Sequence, residues 1–502
     1  MDRAPEIVSS RLGASRTGGG EGVIAGAAAQ SPGIAPAPAT RRPRLRLVLV
    51  GLGISVVPLD TAVNISFPDI TGSFGLPIAM IQWVVICYVL THAGLMLAFG
   101  RAGDMWGHAT VFRAGLVWSV AAFLLCAAAP SFGWLLFFRF LQGIGAGLIL
   151  SCAPALVTSL YPEARRSHAL GIFTLMFAIS SALGPLIGGA LVARWGWPGV
   201  FWFRAPIALT SLLLLRGLPR RPPGRREQRF DIVGAALLAA GLAALLLAIN
   251  ALPRLRGGDF LAAALLPAAA ACLIAFVRWE RRAAEPVVRL ELFRDRRFAI
   301  VNLASCLMYL VTFSVLLFAP YFLVRHTGLP LPLAGAVLAT GFVAMAATSP
   351  LASRLILRVG PDRVAPLGAF CIGAGLLLIG LWQPGTSAAL MVPTLALHGL
   401  GLAFFQVAYM EIVIAASPPE HRGVAGSLSM LTRTIGVVSG AALLTLGFQA
   451  IESAVRGGGV GDAEGFLTAF HLMFGIAGVT AAATGALLAG SLRRRIGSRA
   501  RL

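Results

Sequence analysis

Long apolar runs are the feature that most constrains this chain. A helix needs about 20 apolar residues to cross the hydrocarbon core of a bilayer, and runs of that size recur throughout the sequence. Of the 502 residues, 57% are hydrophobic and only 12% are charged, which is far from the balance of a soluble globular protein. We predict an all-α polytopic membrane protein. Its fourteen predicted spans lie near residues 46–69, 80–100, 111–129, 134–160, 167–193, 198–216, 231–252, 260–279, 298–324, 333–357, 365–383, 389–415, 423–450 and 466–490.

The arginines test this set of spans, because cytoplasmic loops carry an excess of basic residues. All 41 basic residues are arginine, and alternating the loops between the two sides places most of them inside. The exceptions are five in the predicted outer loops and three within spans: Arg194, Arg254, Arg256, Arg325 and Arg456, and then Arg139, Arg204 and Arg433. Both termini are therefore predicted to be cytoplasmic, with the chain in the cell membrane. Adding or removing one span would destroy this asymmetry, so the number of spans should be even.

Composition also excludes several classes of function. Without lysine the chain has neither a Walker A phosphate loop nor a Schiff-base cofactor site. The six cysteines all fall in apolar runs and show no zinc-ligand spacing, so we expect no metal, no cofactor and no enzymatic activity. The net charge of +21 is explained by the basic loops, so no nucleic-acid partner is expected.

A short repeat divides the chain into halves. YPEARRSHALG before the fifth span resembles SPPEHRGVAG before the thirteenth, which predicts two six-helix bundles with pseudo-two-fold symmetry plus two inserted helices. Parallel six-helix repeats around a central site are a transporter architecture. The predicted segments are a disordered cytoplasmic tail (1–44), an N-terminal six-helix bundle (45–216), a basic loop with the inserted pair (217–289), a C-terminal six-helix bundle (290–490) and a basic cytoplasmic tail (491–502).

One acid stands inside the first apolar run. Asp60 lies in VVPLDTAVNISFP, and a carboxylate at that depth costs roughly 2.5 to 3.5 kcal/mol on insertion scales unless it is paired, protonated or near water. A rise of about 1.5 Å per residue puts Asp60 about 9 Å, and Arg139 of the fourth run about 8 Å, from the same outer edge. We predict that Asp60 faces an internal cavity, where Arg139 stabilises its ionised form and proton uptake releases that interaction. The alternative is a fixed pair that does not titrate.

Neutral polar side chains accompany these charges. Asn64 follows the acid by one turn and Gln142 follows the arginine by three residues, so both can hydrogen-bond on the same faces. His92 and His398 fall near the middle of the second and twelfth spans, where an imidazole can titrate or bind substrate. For each histidine the alternative is a hydrogen bond to a neighbouring helix.

The second half carries its own charges inside the membrane. Glu411 lies toward the inner end of the twelfth span, and Arg433 lies mid-span in the thirteenth. They can form a second charge pair or a second proton site. The alternative is that Glu411 snorkels to the interface.

The fifth run, GIFTLMFAISSALGPLIGG, carries small residues at helical spacing. Ser180, Gly184 and Gly188 are four apart, and Pro185 interrupts the backbone hydrogen-bond ladder. This pattern predicts a flat, bendable surface against another helix. A gating role and an ordinary tight helix contact are both open.

These segments together resemble a known family. PLDTAVNISFP is similar to the helix 1 signature of the fourteen-helix drug:proton antiporters of the major facilitator superfamily, and RFLQGIGAG resembles their helix 4 motif. GPLIGG, which ends at Gly189, resembles their helix 5 antiporter motif, and GRAGDMWGH resembles the loop between helices 2 and 3. The likeness covers about residues 45 to 490. It implies alternating access, in which inward proton movement drives export through a cavity between the halves.

The resemblance assigns roles to individual residues. Asp60 matches the family's helix 1 acid, Arg139 its helix 4 arginine, and Asp104 the acid of its cytoplasmic gating loop. The chain also departs from the family, because Met105 and the residues His108 to Thr110 stand where basic residues usually follow that loop acid. This departure implies a weak charge-based cytoplasmic lock.

A second departure lies after the fifth span. The chain reads WGWPGVFWFRAP, with Arg204 at the place where the family has an Asn before a Pro. The simplest interpretation is that Arg204 snorkels to the outer interface.

Taken together, the sequence predicts a secondary active transporter in the lipid bilayer. We expect a monomer that exports small amphipathic drugs or antibiotics in exchange for protons. The alternative is a uniporter or channel-like carrier without proton coupling, and transport that ignores a pH gradient would favour it.

Overall fold

The protein is helical over the residues that its computed structural model describes. These residues are 43–159, 166–215, 231–255, 260–283, 290–415, 422–457 and 462–499. The helices in chain order are α1 (Pro43–Ser55), α2 (Ala62–Ile65), α3 (Phe67–Ser73), α4 (Gln82–Trp106), α5 (His108–Ala127), α6 (Phe132–Ser159), α7 (Arg166–Trp195), α8 (Gly199–Trp202), α9 (Arg204–Leu214), α10 (Ile232–Leu255), α11 (Phe260–Glu280), α12 (Arg296–Arg325), α13 (Leu331–Val359), α14 (Pro361–Ile379), α15 (Ala388–Ala415), α16 (Arg422–Gly457) and α17 (Asp462–Arg499). Helices satisfy their own backbone polar groups, as a bilayer requires.

The helices overlap every predicted span. Within the described residues, 11 helical stretches are long and apolar enough to cross a membrane by length and composition, and two apolar stretches are shorter. The count of fourteen crossings therefore stays a prediction. The predicted tail at the N-terminus lies outside the described residues except for its last two, while α17 continues to Arg499 and makes most of the predicted C-terminal tail helical.

The helices pack as two bundles and an added pair. Helices α1 to α9 contact one another, as do α12 to α17, and α10 packs against α11. Helix α10 also contacts α4 of the first bundle and α16 of the second. The inserted pair therefore lies beside both bundles, while the bundles meet each other mainly through α7 with α13 and α4 with α16.

The first predicted span is broken, whereas one continuous helix was expected over 46–69. Helix α1 ends at Ser55, a 3₁₀ turn occupies Pro58–Thr61, and the short helices α2 and α3 follow. Pro58 and Pro68 supply no backbone N–H, so the regular hydrogen-bond ladder cannot run through these positions. The break leaves an irregular backbone buried among neighbouring helices, where such geometry is tolerated in membranes.

Two matching turns support the internal repeat. Gly107 joins α4 to α5 with a φ of 88°, and Gly360 joins α13 to α14 with a φ of 85°. Both connect the second and third long helices of their bundle. A positive φ favours glycine because a side chain is strained there, so each half turns at the corresponding connection in the same way.

Helices α14 and α15 pack backbone to backbone, which generates a test of this fold. A Cβ added at Gly401 would lie 2.6 Å from the backbone N of Ile372 and 2.8 Å from the carbonyl O of Gly368. Overpacking of this kind costs about 1 to 3 kcal/mol, so we expect Gly401→Ala to lower the midpoint of thermal unfolding in detergent.

The matched control for this variant is Gly475→Ala on α17. Its added Cβ would meet nothing within 4 Å, and alanine favours helix over glycine by up to about 1 kcal/mol. We expect its unfolding midpoint to equal or exceed that of the wild type. Equal midpoints for the two variants would contradict the close α14 to α15 contact.

Candidate functional site

The break in the first span positions Asp60. This residue lies within the turn Pro58–Thr61, and its backbone N–H donates to the carbonyl of Val57 over 3.0 Å. The turn presents the carboxylate to α6 and leaves it 13% exposed. The carboxylate is therefore nearly, but not fully, enclosed by protein atoms.

Two residues of α6 hold the Asp60 carboxylate. Arg139 donates from Nη1 to Oδ1 over 2.7 Å and from Nη2 to Oδ2 over 3.0 Å, which is a bidentate pair. Gln142 donates from Nε2 to Oδ1 over 2.9 Å and accepts from Arg139 Nη1 at its Oε1 over 2.9 Å. The structure thus brings Asp60 together with both α6 residues that were predicted to lie near it.

Helix α4 fixes the guanidinium of Arg139. Its Nε donates to the carbonyl O of Val84 over 2.9 Å, and its Cζ lies 4.4 Å from the centroid of the Tyr88 ring. The side chain is only 1% exposed. Because all three guanidinium nitrogens donate hydrogen bonds and a ring covers one face, Arg139 is held in one orientation toward the acid.

Arg204 joins the same cluster, and the expectation that it snorkels to the interface is wrong. Its side chain is fully buried, and Nη1 donates to Asp60 Oδ1 over 2.6 Å. Its Cζ lies 4.5 Å from the ring centroid of Phe123. A signal for this contact was available in the sequence, because six residues past a span start near 198 is about 9 Å deep. That depth equals the depth derived for Asp60.

The cluster carries one more positive than negative charge. Arg139 and Arg204 contribute two guanidinium groups against the single carboxylate of Asp60. Within the described residues, the buried Nε and Nη2 of Arg204 have no hydrogen-bond partner. Charges at low dielectric interact strongly, so the ionised acid is what makes two buried cations tolerable at this depth.

The residue after the acid ties the broken span to α7. Thr61 Oγ1 donates to the carbonyl O of Ser181 over 2.9 Å. A Cβ at Gly184 would lie 1.9 Å from that same Oγ1, and a Cβ at Gly188 would lie 2.9 Å from the carbonyl O of Ala62. At these two positions of the predicted gating surface, the absence of a side chain leaves room for the irregular backbone beside Asp60.

The next face of α7 meets the other bundle. A Cβ at Gly189 would lie 2.3 Å from the carbonyl O of Leu331, and a Cβ at Gly335 would lie 2.3 Å from the carbonyl O of Pro185. Pro185 and Gly189 thus pack directly on α13. In the predicted topology this contact closes the outer end between the bundles.

Other predicted site residues lie apart from the cluster. Asn64 is buried in α2 and is not among the donors to Asp60. His92 Nδ1 lies 3.1 Å from the carbonyl O of Tyr88, and His398 is 5% exposed in α15. Asp104 belongs to α4, but its side chain lies outside what the structure describes.

The predicted second charge pair does not form in this structure. Glu411 is exposed on α15, whereas the Cζ of Arg433 lies 5.4 Å from the ring centroid of Tyr309. No ion pair joins the two residues in the described part of the chain. They remain separate candidates.

A neutral buried cluster in the second bundle was missed. The hydroxyl of Tyr409 donates to Asn302 Oδ1 over 3.0 Å and lies 2.9 Å from Thr432 Oγ1. It joins three helices, α12, α15 and α16. None of its members is charged, so no depth count pointed to it. Among the residues with described side chains, no group of His, Cys, Asp or Glu could hold a metal ion.

The ion cluster predicts a stability cycle. Asp60→Asn removes the one negative charge and leaves two buried guanidinium groups uncompensated, so we expect a lower unfolding midpoint than in the wild type. Adding Arg204→Asn removes one of those cations and should recover part of the loss. Thermal unfolding of the wild type, both single variants and the double variant measures this coupling. Strictly additive shifts would contradict the ion pair between Asp60 and Arg204.

The contact between α7 and α13 predicts a conformational effect. Gly335→Ala introduces a Cβ that clashes with the backbone O of Pro185, so we expect it to move the two bundles apart at this end. The distance between spin labels at Ser73 and Leu333, which are exposed on opposite bundles, should lengthen in a cysteine-free background.

Gly341→Ala on the same helix is the control for this measurement. Its Cβ would meet only the carbonyl O of Leu395, at an ordinary 3.5 Å. The label distance should therefore match that of the unsubstituted protein. A Gly335→Ala distance indistinguishable from this control would rule out the contact as a seal.

Several known proteins are similar to this chain in sequence. Residues 47–441 match the profile described as Major Facilitator Superfamily. The chain is 31% identical over 396 residues to the multidrug resistance protein Stp of Mycobacterium tuberculosis, which covers 78% of this chain and 74% of that protein. It is 31% identical over 399 residues to the puromycin resistance protein pur8 of Streptomyces alboniger, which covers 78% of each.

Solved structures share its fold. A bacterial homologue of the human lysosomal transporter Spinster, in an inward-facing and unoccupied conformation, superposes with a TM-score of 0.68 at 17% identity. The match covers 91% of this chain and 98% of that one. Since the sequence profile spans most of the chain and the fold agrees with it, the protein belongs to the major facilitator superfamily.

Proposed function

We propose that the protein is a proton-coupled antiporter that exports amphipathic drugs or antibiotics by alternating access. The observation that carries this proposal is the ionised Asp60 inside the first span, held by three donors and still 13% exposed. An acid buried at this cost is a functional group by default. The relatives named for multidrug and puromycin resistance support drugs as the cargo.

Proton binding would change the cluster directly. A protonated Asp60 is a neutral group and can no longer form charge-assisted hydrogen bonds with both arginines. Arg139 and Arg204 are 1% and 0% exposed, so neither can turn to bulk water without the helices moving. Protonation therefore favours a rearrangement of the helices that hold these arginines.

The packing offers a route from this change to the gate. Asp60 and Thr61 share one 3₁₀ turn, and Thr61 is bonded to α7 through the carbonyl of Ser181. The opposite contact of α7 is α13 of the second bundle, at Gly189 and Gly335. A shift of the turn is thus transmitted to α7 and on to the contact between the bundles. This linked packing supports alternating access as the coupling step.

The membrane placement is part of the proposal. We infer a monomer in the cell membrane with fourteen spans and both termini cytoplasmic, because the arginine asymmetry requires an even number of crossings. The ion pair of Arg297 with Asp362 agrees with this topology, since both residues start helices at the predicted inner side. Asp104, whose loop resembles the family's gating loop, is proposed to act at that side as well.

Asp60→Asn tests the coupling. In proteoliposomes we expect the variant to lose export driven by a pH gradient, because an amide cannot bind and release a proton, so accumulation should fall at least tenfold to the level of protein-free vesicles. Counterflow exchange of substrate at equal pH needs no net proton movement, and the variant should retain it.

The counterflow measurement separates coupling from folding. A variant inactive in both assays is misfolded, and Asp60→Glu, which keeps the carboxylate, then replaces it as the test. Undiminished export by Asp60→Asn under a pH gradient would refute the proton role. Transport by the wild type that ignores the gradient would favour the uniporter.

A further inference from the structure

We propose that the exported compounds are amphipathic organic anions and that Arg433 binds their anionic group. This inference rests on the proposed export function and names the substrate class of the same transporter. It follows from the arginines within the spans: Arg139 and Arg204 share the one carboxylate of Asp60, and Arg433 forms no ion pair in the described part of the chain.

The acid of the first bundle is already held by two cationic side chains and one amide. Oδ1 of Asp60 accepts from Arg139, Gln142 and Arg204, and Oδ2 accepts from Arg139. A cationic drug would have to displace a bidentate guanidinium that is already desolvated. Binding that depends on breaking such a pair is costly. Even with the pair intact, the cluster keeps its surplus positive charge.

The second bundle contributes Arg433, which no carboxylate neutralises in the described part of the chain. Arg433 on α16 is half-buried, and its guanidinium lies over the ring of Tyr309 at 5.4 Å. In the described part of the chain it forms no ion pair with a carboxylate. A guanidinium in this condition binds a planar anion such as a carboxylate best, through two parallel N–H donors.

Arg433 lies on one of the helices through which the two bundles meet. Gly436, one turn further along α16, packs its α-carbon against Cys306 and Tyr309 of α12, which fixes the helix there. Helix α16 also contacts α4 of the first bundle. A substrate bound between the bundles would therefore meet α16, and the Tyr309 ring beside the Arg433 guanidinium offers a surface for its apolar or aromatic body.

Long-range electrostatics should add to the preference for anions that the Arg433 contact provides. A cleft with low-dielectric walls and one sign of charge concentrates ligands of the opposite sign. Glu411 is the rival, since its exposed carboxylate on α15 could receive a cation. The test therefore includes a cationic probe and a Glu411→Gln variant.

Two xanthene dyes with similar ring bodies and opposite charges serve as probes: fluorescein, an anion, and tetramethylrhodamine methyl ester, a cation. Binding is measured by titration calorimetry on the full chain in nanodiscs, with empty nanodiscs subtracted. We expect fluorescein to bind at least about tenfold more tightly than the cation. Arg433→Gln should weaken fluorescein about tenfold, equivalent to about 1.4 kcal/mol, and leave binding of the cation unchanged.

Matched control variants test whether the loss of fluorescein binding is specific to the Arg433 guanidinium. Arg358→Gln removes the same charge from an exposed site on α13 and should change neither affinity. Arg433→Lys keeps the charge without the planar fork and should fall between wild type and Arg433→Gln, which shows that the site is folded. Unchanged fluorescein binding in Arg433→Gln overturns the inference. Tighter binding of the cation, lost in Glu411→Gln, also overturns it.

A transport arm separates this inference from the proposed function. Both dyes are offered to proteoliposomes with and without a pH gradient, at a clamped membrane potential. Gradient-driven export of the cation alone supports proton-coupled export and overturns the anion preference. Fluorescein transport that ignores the gradient supports the anion preference and overturns proton coupling.

Discussion

The buried carboxylate of Asp60 is the interaction on which the first bundle depends. Two guanidinium groups from α6 and α9 converge on it, and neither could remain at this depth without a counter-charge. The carboxylate lies in the 3₁₀ turn Pro58–Thr61, where the first span departs from α-helical geometry. The irregular backbone, the two buried arginines and the acid thus require one another. Neutralising the Asp60 carboxylate would therefore weaken the packing of the first span against α6 and α9, because both arginines would lose their counter-charge.

Small residues on α7 link the turn that carries Asp60 to the contact between the two bundles. Gly184 and Gly188 admit the irregular turn against one face of α7, and Gly189 brings the other face onto α13. One helix therefore touches both the ionisable site and the opposite bundle. Packed interfaces of this kind shift between discrete arrangements rather than deforming gradually, which is consistent with the alternating access proposed above.

Charged pairs were predictable from the sequence where depth could be counted. Apolar length and arginine asymmetry predicted the helical fold, and equal depths predicted Asp60 beside Arg139. The same count applied to Arg204 points to the acid, whereas the general tendency of arginine to snorkel predicts the interface instead. Charge alone failed for Glu411 and Arg433, because opposite signs on successive helices do not fix which faces meet. The Tyr409 cluster was invisible for a related reason, since neutral side chains carry no penalty that demands a partner.

Breaks in helices were the other limit. Two prolines in the first span are compatible with either a kinked helix or a helix that ends and restarts. Which of these forms depends on whether neighbouring groups can hydrogen-bond the backbone atoms that lose their helical partners. That information lies in tertiary packing and not in the local sequence.

The closure between α7 and α13 is made of backbone carbonyls set against glycine α-carbons. Beside it, the hydroxyl of Tyr321 lies 3.4 Å from the carbonyl O of Phe67 and 3.3 Å from Thr71 Oγ1. The exposed Arg325 reaches the same group, because its Nη2 donates to Thr71 Oγ1 over 3.5 Å and its Cζ lies 5.2 Å from the centroid of the Tyr321 ring. The closure therefore combines a neutral fit of backbone atoms, which dissolved salt does not screen, with one exposed cation, which dissolved salt does screen.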